Sequence, residues 1–207
     1  MTQQNDFIRE YAENVERLKG LYDPSQERDS CGVGLVASLD GKASRDVVRA
    51  GIEALGNIWH RGAVDADGKT GDGAGIHVEI PQDFFADAIH SAGDDEIDGR
   101  IAVGMVFLPT PDLASPERGR QITETEILNF GYGICGWRQV PIDTACIGEK
   151  ANQTRPDIEQ IMIRNRLGRS EDEFERDLYV LRRRIEKASD AAHVDLYVCS
   201  MSCRSVI

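Results

Sequence analysis

One cysteine sits where the chain could concentrate its chemistry. Cys31 follows a polar, turn-rich stretch, Tyr22 to Ser30, and opens the apolar run Cys31-Gly32-Val33-Gly34-Leu35-Val36. Cleavage between Ser30 and Cys31 would leave a thiol and a free α-amine on one residue. An unperturbed terminal amine has a pKa of about 7.7–8.0, so a useful fraction of it is a neutral base near neutral pH. Such a residue carries a nucleophile and its general base together. The competing reading is a buried free cysteine, a common fate of that residue type.

A second concentration of chemistry runs from His60 to Gly75, HRGAVDADGKTGDGAG. Ten of the chain's 20 glycines fall between positions 31 and 75, so backbone permissiveness is gathered there. TGDGAG superficially matches nucleotide-binding glycine runs, but no Lys-Ser/Thr pair follows at P-loop spacing, and a helix and loop precede it rather than a strand. The run is better suited to letting main chain pass close to the strand expected at Cys31. His60, Arg61 and Gly62 are then candidates for the pocket wall. Arg61 could alternatively pair with Asp65, Asp67 or Asp72 as a structural clamp.

Metal chemistry finds little support. His60, His77, His90 and His193 lack paired ligand spacing. Cys199 and Cys203 on one strand would stand roughly 13 Å apart at about 3.3 Å per residue. Cys135 and Cys146 read as core or surface thiols. Arg182-Arg183-Arg184 lies on a helix whose other face is apolar, which predicts a solvated charged face.

These residues need elements to hold them. Phe7, Ile8, Tyr11, Val15 and Leu18 recur at helical spacing between Asn5 and Lys19. Val33, Leu35 and Val36 predict a buried strand, with close approach of a neighbour at the two glycines. Ser44 caps a helix expected to run through Trp59. Ile76, Val78 and Ile80 alternate as in a half-buried strand. A short helix is expected over Phe84–Ile89, a strand over Ile101–Leu108, and a helix from Ser115 towards Phe130. Strands are expected over Tyr132–Trp137 and Ile158–Ile163. Ser170 and Glu173 form a capping box opening a helix to about Lys187, with Phe174, Leu178, Leu181 and Ile185 inward. Val194–Val206 reads as a last strand. Strands and helices mix without regular βαβ alternation, which predicts an α+β fold.

Composition limits the functions available. The 207 residues carry 24 Lys and Arg against 36 Asp and Glu, a net charge of −12. That balance argues against broad binding to nucleic-acid backbones or anionic lipid. No apolar run approaches the roughly 20 residues of a membrane span. Met1–Ser30, with seven acids, four bases and no apolar core segment, is not a secretory signal, so a cytoplasmic location is expected. Five scattered cysteines fit reduced thiols rather than a disulfide framework. The last residues, Arg204-Ser205-Val206-Ile207, stop mid-pattern and suggest a fragment.

The combination of Cys31-Gly32-Val33-Gly34, His60-Arg61-Gly62-Ala63 and Thr70-Gly71-Asp72-Gly73-Ala74-Gly75 resembles the start of the large subunit of bacterial glutamate synthases. The likeness continues through Gly136-Trp137-Arg138, Gly148-Glu149 and Leu178 to Glu186, and so covers essentially all of residues 31–207. The resemblance implies a class II (type 2) glutamine amidotransferase domain over 31–207, truncated at its C-terminal side, with residues 1–30 a propeptide or leader. It implies the N-terminal nucleophile hydrolase fold, a four-layer αββα sandwich, with Cys31 as the catalytic nucleophile. By the same resemblance, L-glutamine would yield ammonia through a cysteinyl thioester. The complete enzyme would combine that ammonia with 2-oxoglutarate at a flavin site, using FMN, an iron–sulfur cluster and a smaller NADPH-oxidising subunit. No cofactor is expected within these 207 residues. The family's HSRFST-like arginine, oxyanion Asn-Gly pair and glutamine-clamping Asp are not found before Ile207, so the stretch alone is not expected to turn over glutamine. Rival readings are another class II amidotransferase and a non-catalytic regulatory or structural module of the same fold.

Overall fold

A computed structural model describes residues 32–58, 64–71, 73–93, 99–110 and 115–207. The chain divides into two units, 1–33 and 34–207; of the first, only residues 32 and 33 are described. The expected leader, its helix over Asn5–Lys19, and Cys31 itself lie outside the described residues.

The second unit is built on a four-stranded antiparallel sheet. Its strands are β2 (Ile101–Leu108), β3 (Gly133–Gln139), β4 (Asp157–Arg164) and β5 (Tyr197–Ser202), in the order β3-β4-β2-β5. The central pair runs in unbroken register from Ile101 opposite Arg164 to Leu108 opposite Asp157. Each edge strand carries one extra residue against its neighbour, Cys135 in β3 and Cys199 in β5. Such bulges bend a strand and deepen its twist.

Helices α3 (Ser115–Phe130) and α5 (Glu171–Ala192) cover one face of this sheet. Phe174, Leu178, Leu181 and Ile185 of α5 are buried with Ile127 of α3 against Leu108, Ile161, Ile163 and Val198. The helical spacing of those α5 residues is what turns them all to one side. Gly119 lets α3 lie close on the sheet, since a methyl there would come within 2.7 Å of Leu108 Cδ2. Polar ties fix the layer further: Arg120 of α3 pairs with the buried Glu159 of β4, Trp137 Nε1 donates to Glu124 at 2.7 Å, and Tyr132 donates its hydroxyl to Asp177 at 2.6 Å.

The opposite face is covered by α2 (Gln82–Ser91) and by a two-stranded antiparallel ladder of β1 (Val78–Glu79) and β6 (Ser205–Val206). Ile80, Phe85, Ile89 and Val206 pack there on Val103, Met105 and Met162. Gln82 fixes α2 to β2 by accepting from the Ile101 N–H at 2.9 Å and donating to its carbonyl at 3.0 Å. The architecture is α+β, as the sequence predicts. Among the described residues no helix is long and apolar enough to cross a membrane.

Several expected elements come out differently. Val33 and Leu35 are about nine-tenths exposed and irregular rather than a buried strand, and Gly34 has nothing near it. An apolar run becomes a strand only when another strand accepts its backbone hydrogen bonds, and none of the described strands pairs with this one. Helix α1 (Arg45–Asn57) is capped by Ser44, whose hydroxyl accepts from Asp46 N at 3.1 Å, but it ends before Trp59. Only Val78 and Glu79 of the alternating run are paired. The capping box at Ser170 and Glu173 forms, and α5 then continues past Lys187 to Ala192, where His193 adopts φ 53° as the cap. The expected last strand is two strands: β5 stops at Ser202, and the chain turns through Cys203 and Arg204 into the other ladder as β6.

Candidate functional site

The glycine-rich segment folds as a small closed hairpin over residues 64–71. Val64 and Gly71 form an antiparallel bridge, and Asp65 N donates to Thr70 O at 2.7 Å. Gly68 adopts φ 68° at the tip, and its N–H donates to Asp65 O at 2.9 Å. Asp67 organises the turn: its carboxylate accepts from Lys69 N at 2.9 Å, Thr70 N at 2.7 Å and the Thr70 hydroxyl at 2.5 Å. The Thr70 hydroxyl, followed by the two backbone N–H groups, holds the Asp67 carboxyl down at about 2, so it is ionised at any physiological pH.

The hairpin is seated on the start of α4 (Glu149–Gln153). Lys150 Nζ meets Asp65 Oδ2 at 2.6 Å, and this contact, ahead of the Ala66 N–H, lowers the Asp65 pKa. Beside it, Gly148 is buried under the turn; a Cβ there would overlap Asp67 Oδ2 and Thr70 Oγ1. Asp65 and Asp67, expected as partners of Arg61, are contacted by Lys150 and Thr70 respectively. Arg61 and Asp72, like His60 and Gly62, lie outside the described residues.

Downstream of the hairpin the segment is held again. His77 Nε2 and Ser205 Oγ are 2.7 Å apart, and Ile80 N donates to Arg204 O at 3.0 Å. The turn that aims β6 at this segment is gripped by α5: Glu175 accepts from Ser202 Oγ at 2.7 Å, Cys203 N at 2.9 Å and Cys203 Sγ at 3.1 Å. Arg204 reaches Glu171 at 2.8 Å and also Asp172, while Arg100 Nε donates to Cys203 O at 3.1 Å. The acidic first turn of α5 therefore serves as the fixture for the β5–β6 corner. Sequence reasoning recognised its capping box and missed this second use.

Two of the described cysteines have thiols held in the protonated form. Burial, then the hydrogen bond to Glu175, pushes the Cys203 thiol up to about 12. The exposed Cys146 donates to Asp143 Oδ2 at 3.3 Å, which raises its pKa as well. Neither has the depressed pKa of an activated thiolate. Cys135 is buried at a bulge. Cys199 and Cys203 sit on either side of a strand's end rather than along one strand. Among the described residues, no group of three or more His, Cys, Asp or Glu side chains converges as a metal site. The arginine run is internally engaged: Arg182 and Arg183 pair with Glu186, and Arg184 lies 5.0 Å over the Phe130 ring.

Against known proteins, the sequence pattern of class-II glutamine amidotransferases matches residues 31–207. The chain belongs to the class-II glutamine amidotransferases. Its match begins at Cys31 and takes in the whole four-stranded sheet, the seated hairpin and the β1–β6 ladder of this amidotransferase. The NADPH glutamate synthase large chain of Azospirillum brasilense is 54% identical, aligning with 100% of this chain and 14% of its own length. The chloroplastic ferredoxin-dependent glutamate synthase of Spinacia oleracea is 37% identical over 93% of this chain and 12% of its own. The NADPH glutamate synthase large chain of Bacillus subtilis is 36% identical over 92% of this chain and 12% of its own. The chain thus spans about one-seventh or less of the length of these relatives.

Proposed function

We propose that this chain is the glutaminase portion of a glutamate synthase large subunit, with Cys31 as its nucleophile. The observation that carries the reading is the family match whose first residue is Cys31. In this reading residues 1–30 are a leader whose removal makes Cys31 the terminal residue. The freed α-amine takes the thiol proton, and the thiolate attacks the carboxamide carbon of L-glutamine. The tetrahedral species collapses to a glutamyl thioester as the amine returns the proton to the departing ammonia. Water then hydrolyses the thioester, releasing glutamate and restoring the thiol.

The described residues support this reading as scaffold. Hydrogen-bond donors for the developing oxyanion matter strongly, since loss of one typically costs about 10²–10³ in rate. In this reading His60, Arg61 and Gly62 are the candidates for the pocket wall. The β1–β6 ladder is the beginning of the second sheet of a four-layer αββα sandwich.

The ammonia passes to a synthase region that reduces its adduct with 2-oxoglutarate to a second glutamate. FMN and an iron–sulfur cluster belong to that region, and a smaller NADPH-oxidising subunit supplies electrons. The enzyme works in the cytoplasm. Replacing Cys31 by Ala in the full-length protein tests the assignment: glutamine-dependent synthesis is lost while ammonia-dependent synthesis continues. Glutamine-dependent turnover surviving in that variant refutes it.

A further inference from the structure

The sheet face that carries α2 and the β1–β6 ladder is closed at one end and open at the other. Residues opposite one another on neighbouring strands share a face and form rows across it. Successive rows are Val103 with Met162, then Ser200 with Met105 and Gln160, then Tyr197 with Phe107 and Ile158. The first two rows are buried, and Val103, Met105 and Met162 belong to the core that holds Phe85, Ile89 and Val206. In the third, Phe107 and Ile158 are half-buried and Tyr197 is 52% exposed, its ring edge-on to Phe107 at 5.9 Å between centroids. Directly behind this open row Ser200 is 8% exposed, and among the described residues its Oγ has no hydrogen-bond partner. Its neighbour Met105 offers none, and Gln160 Oε1 already accepts from Arg138 at 2.8 Å. Buried hydroxyls are almost always paired, so Ser200 and the open row together describe half of an interface: apolar area to cover and one polar group to match.

We propose that the row of Tyr197, Phe107 and Ile158 is a docking face for an apolar segment of the same synthase polypeptide, contributed from outside residues 1–207, which sets one hydrogen-bonding group against Ser200 Oγ. The proposal rests on the glutaminase reading above. No side chain of the row is charged, which disfavours an anionic ligand and selects an apolar occupant. The chain spans about one-seventh or less of the length of its relatives, so on that reading most of the polypeptide is available to supply the segment. A segment tethered to the face meets it intramolecularly, at an effective concentration that a separate partner has to match.

Hydroxyl-radical footprinting of the full-length synthase tests the docking face, with Tyr179 of α5 as the internal reference. Tyr197 and Tyr179 are 52% and 65% exposed, so an open row gives the two similar labelling. A docked segment slows Tyr197 by about tenfold relative to Tyr179, because labelling follows exposed area and a docked aromatic ring loses most of it. Ser200→Ala removes the paired hydroxyl and raises Tyr197 labelling about fivefold in the full-length protein. A photo-crosslinker installed at position 197 joins a peptide outside residues 1–207 in a product of single-chain mass. Tyr197 labelled as fast as Tyr179, or a cross-link to a second copy or to another subunit, overturns the proposal; unchanged labelling in Ser200→Ala overturns the pairing at Ser200. The glutaminase reading is tested separately in the same preparation. Loss of glutamine-dependent synthesis in Cys31→Ala leaves that reading standing whatever the footprint shows, and its survival there removes the reading together with the proposal built on it.

Discussion

Glu175→Ala probes the corner on which the placement of β6, and through it of the glycine-rich segment, depends. The carboxylate accepts from the Ser202 hydroxyl, the Cys203 amide and the Cys203 thiol, and both residues are buried or nearly so. Hydrogen bonds to a charged acceptor contribute about 1.5–3 kcal/mol each, and an orphaned buried amide costs about 1–3 kcal/mol. Counting the two stronger donors at the low end and treating the thiol as weak gives about 3 kcal/mol. For a chain of this size 1 kcal/mol shifts Tm by about 2–4 °C, so a fall of about 6–12 °C is expected. The loss is largest at the corner. Hydrogen exchange at Ile80, whose amide donates to Arg204 O, should accelerate by about 100-fold if the ladder opens locally, while amides of β2 follow only the global change. Glu175→Gln, which keeps one carbonyl acceptor, should lose about half as much. A Tm within about 2 °C of the parent together with unchanged protection at Ile80 would refute the reasoning.

Other consequences follow from the same contacts. Arg120→Met leaves Glu159, 3% exposed, without its partner and is expected to cost about 3 kcal/mol, whereas Arg120→Met/Glu159→Met should cost about 1 kcal/mol or less; urea-unfolding midpoints of these two variants and of Glu159→Met measure the coupling. Leu178→Ala, at a fully buried position between α5 and the sheet, should cost about 2–5 kcal/mol in the same assay, against less than about 0.5 kcal/mol for the exposed Tyr179→Ala. The Cys203 thiol ionises in the unfolded chain near its ordinary 9.0 but in the folded chain only at about 12, so its contribution to stability is complete below pH 9 and declines as pH rises towards 12; Cys203→Ala should flatten the alkaline limb of the stability profile. Asp67 has the opposite sign. Its depressed pKa stabilises the hairpin fully above about pH 4 and stops doing so as pH falls through about 2, which carboxyl carbon NMR of that residue reads directly.

The parts of this fold that sequence reveals are those whose determinants are local and repeated. Phe174, Leu178, Leu181 and Ile185 recur at helical spacing, and the Ser170–Glu173 box marks where their helix starts. The uninterrupted apolar run Ile101–Leu108 is buried on both faces as the centre of the sheet, where unbroken hydrophobicity is expected. The stop of α5 was harder to see, because His193 occupies a left-handed position usually given to glycine. Val33, Leu35 and Val36 have the composition of a buried strand, but composition does not supply a hydrogen-bonding partner. The division of the last strand is long-range in origin: Ser202 accepts from Arg204 N and Ser205 N, and Glu175 on a distant helix completes the turn. The candidate site divides in the same way. Cys31 and the His60-Arg61-Gly62 segment stand out by residue type, whereas Gly148 and Lys150 acquire meaning only when the chain brings them under Asp67, Thr70 and Asp65, some 80 residues away in sequence.

In the proposed mechanism a sulfur and an α-nitrogen on one terminal residue carry out the attack on glutamine. Incubating the full-length synthase with 6-diazo-5-oxo-norleucine and mapping its peptides by mass spectrometry tests this most directly. One adduct is expected, on a peptide whose first residue is Cys31, with residues 1–30 absent from the labelled enzyme. An adduct on any other residue, or a fully active enzyme retaining Met1 to Ser30, would contradict it.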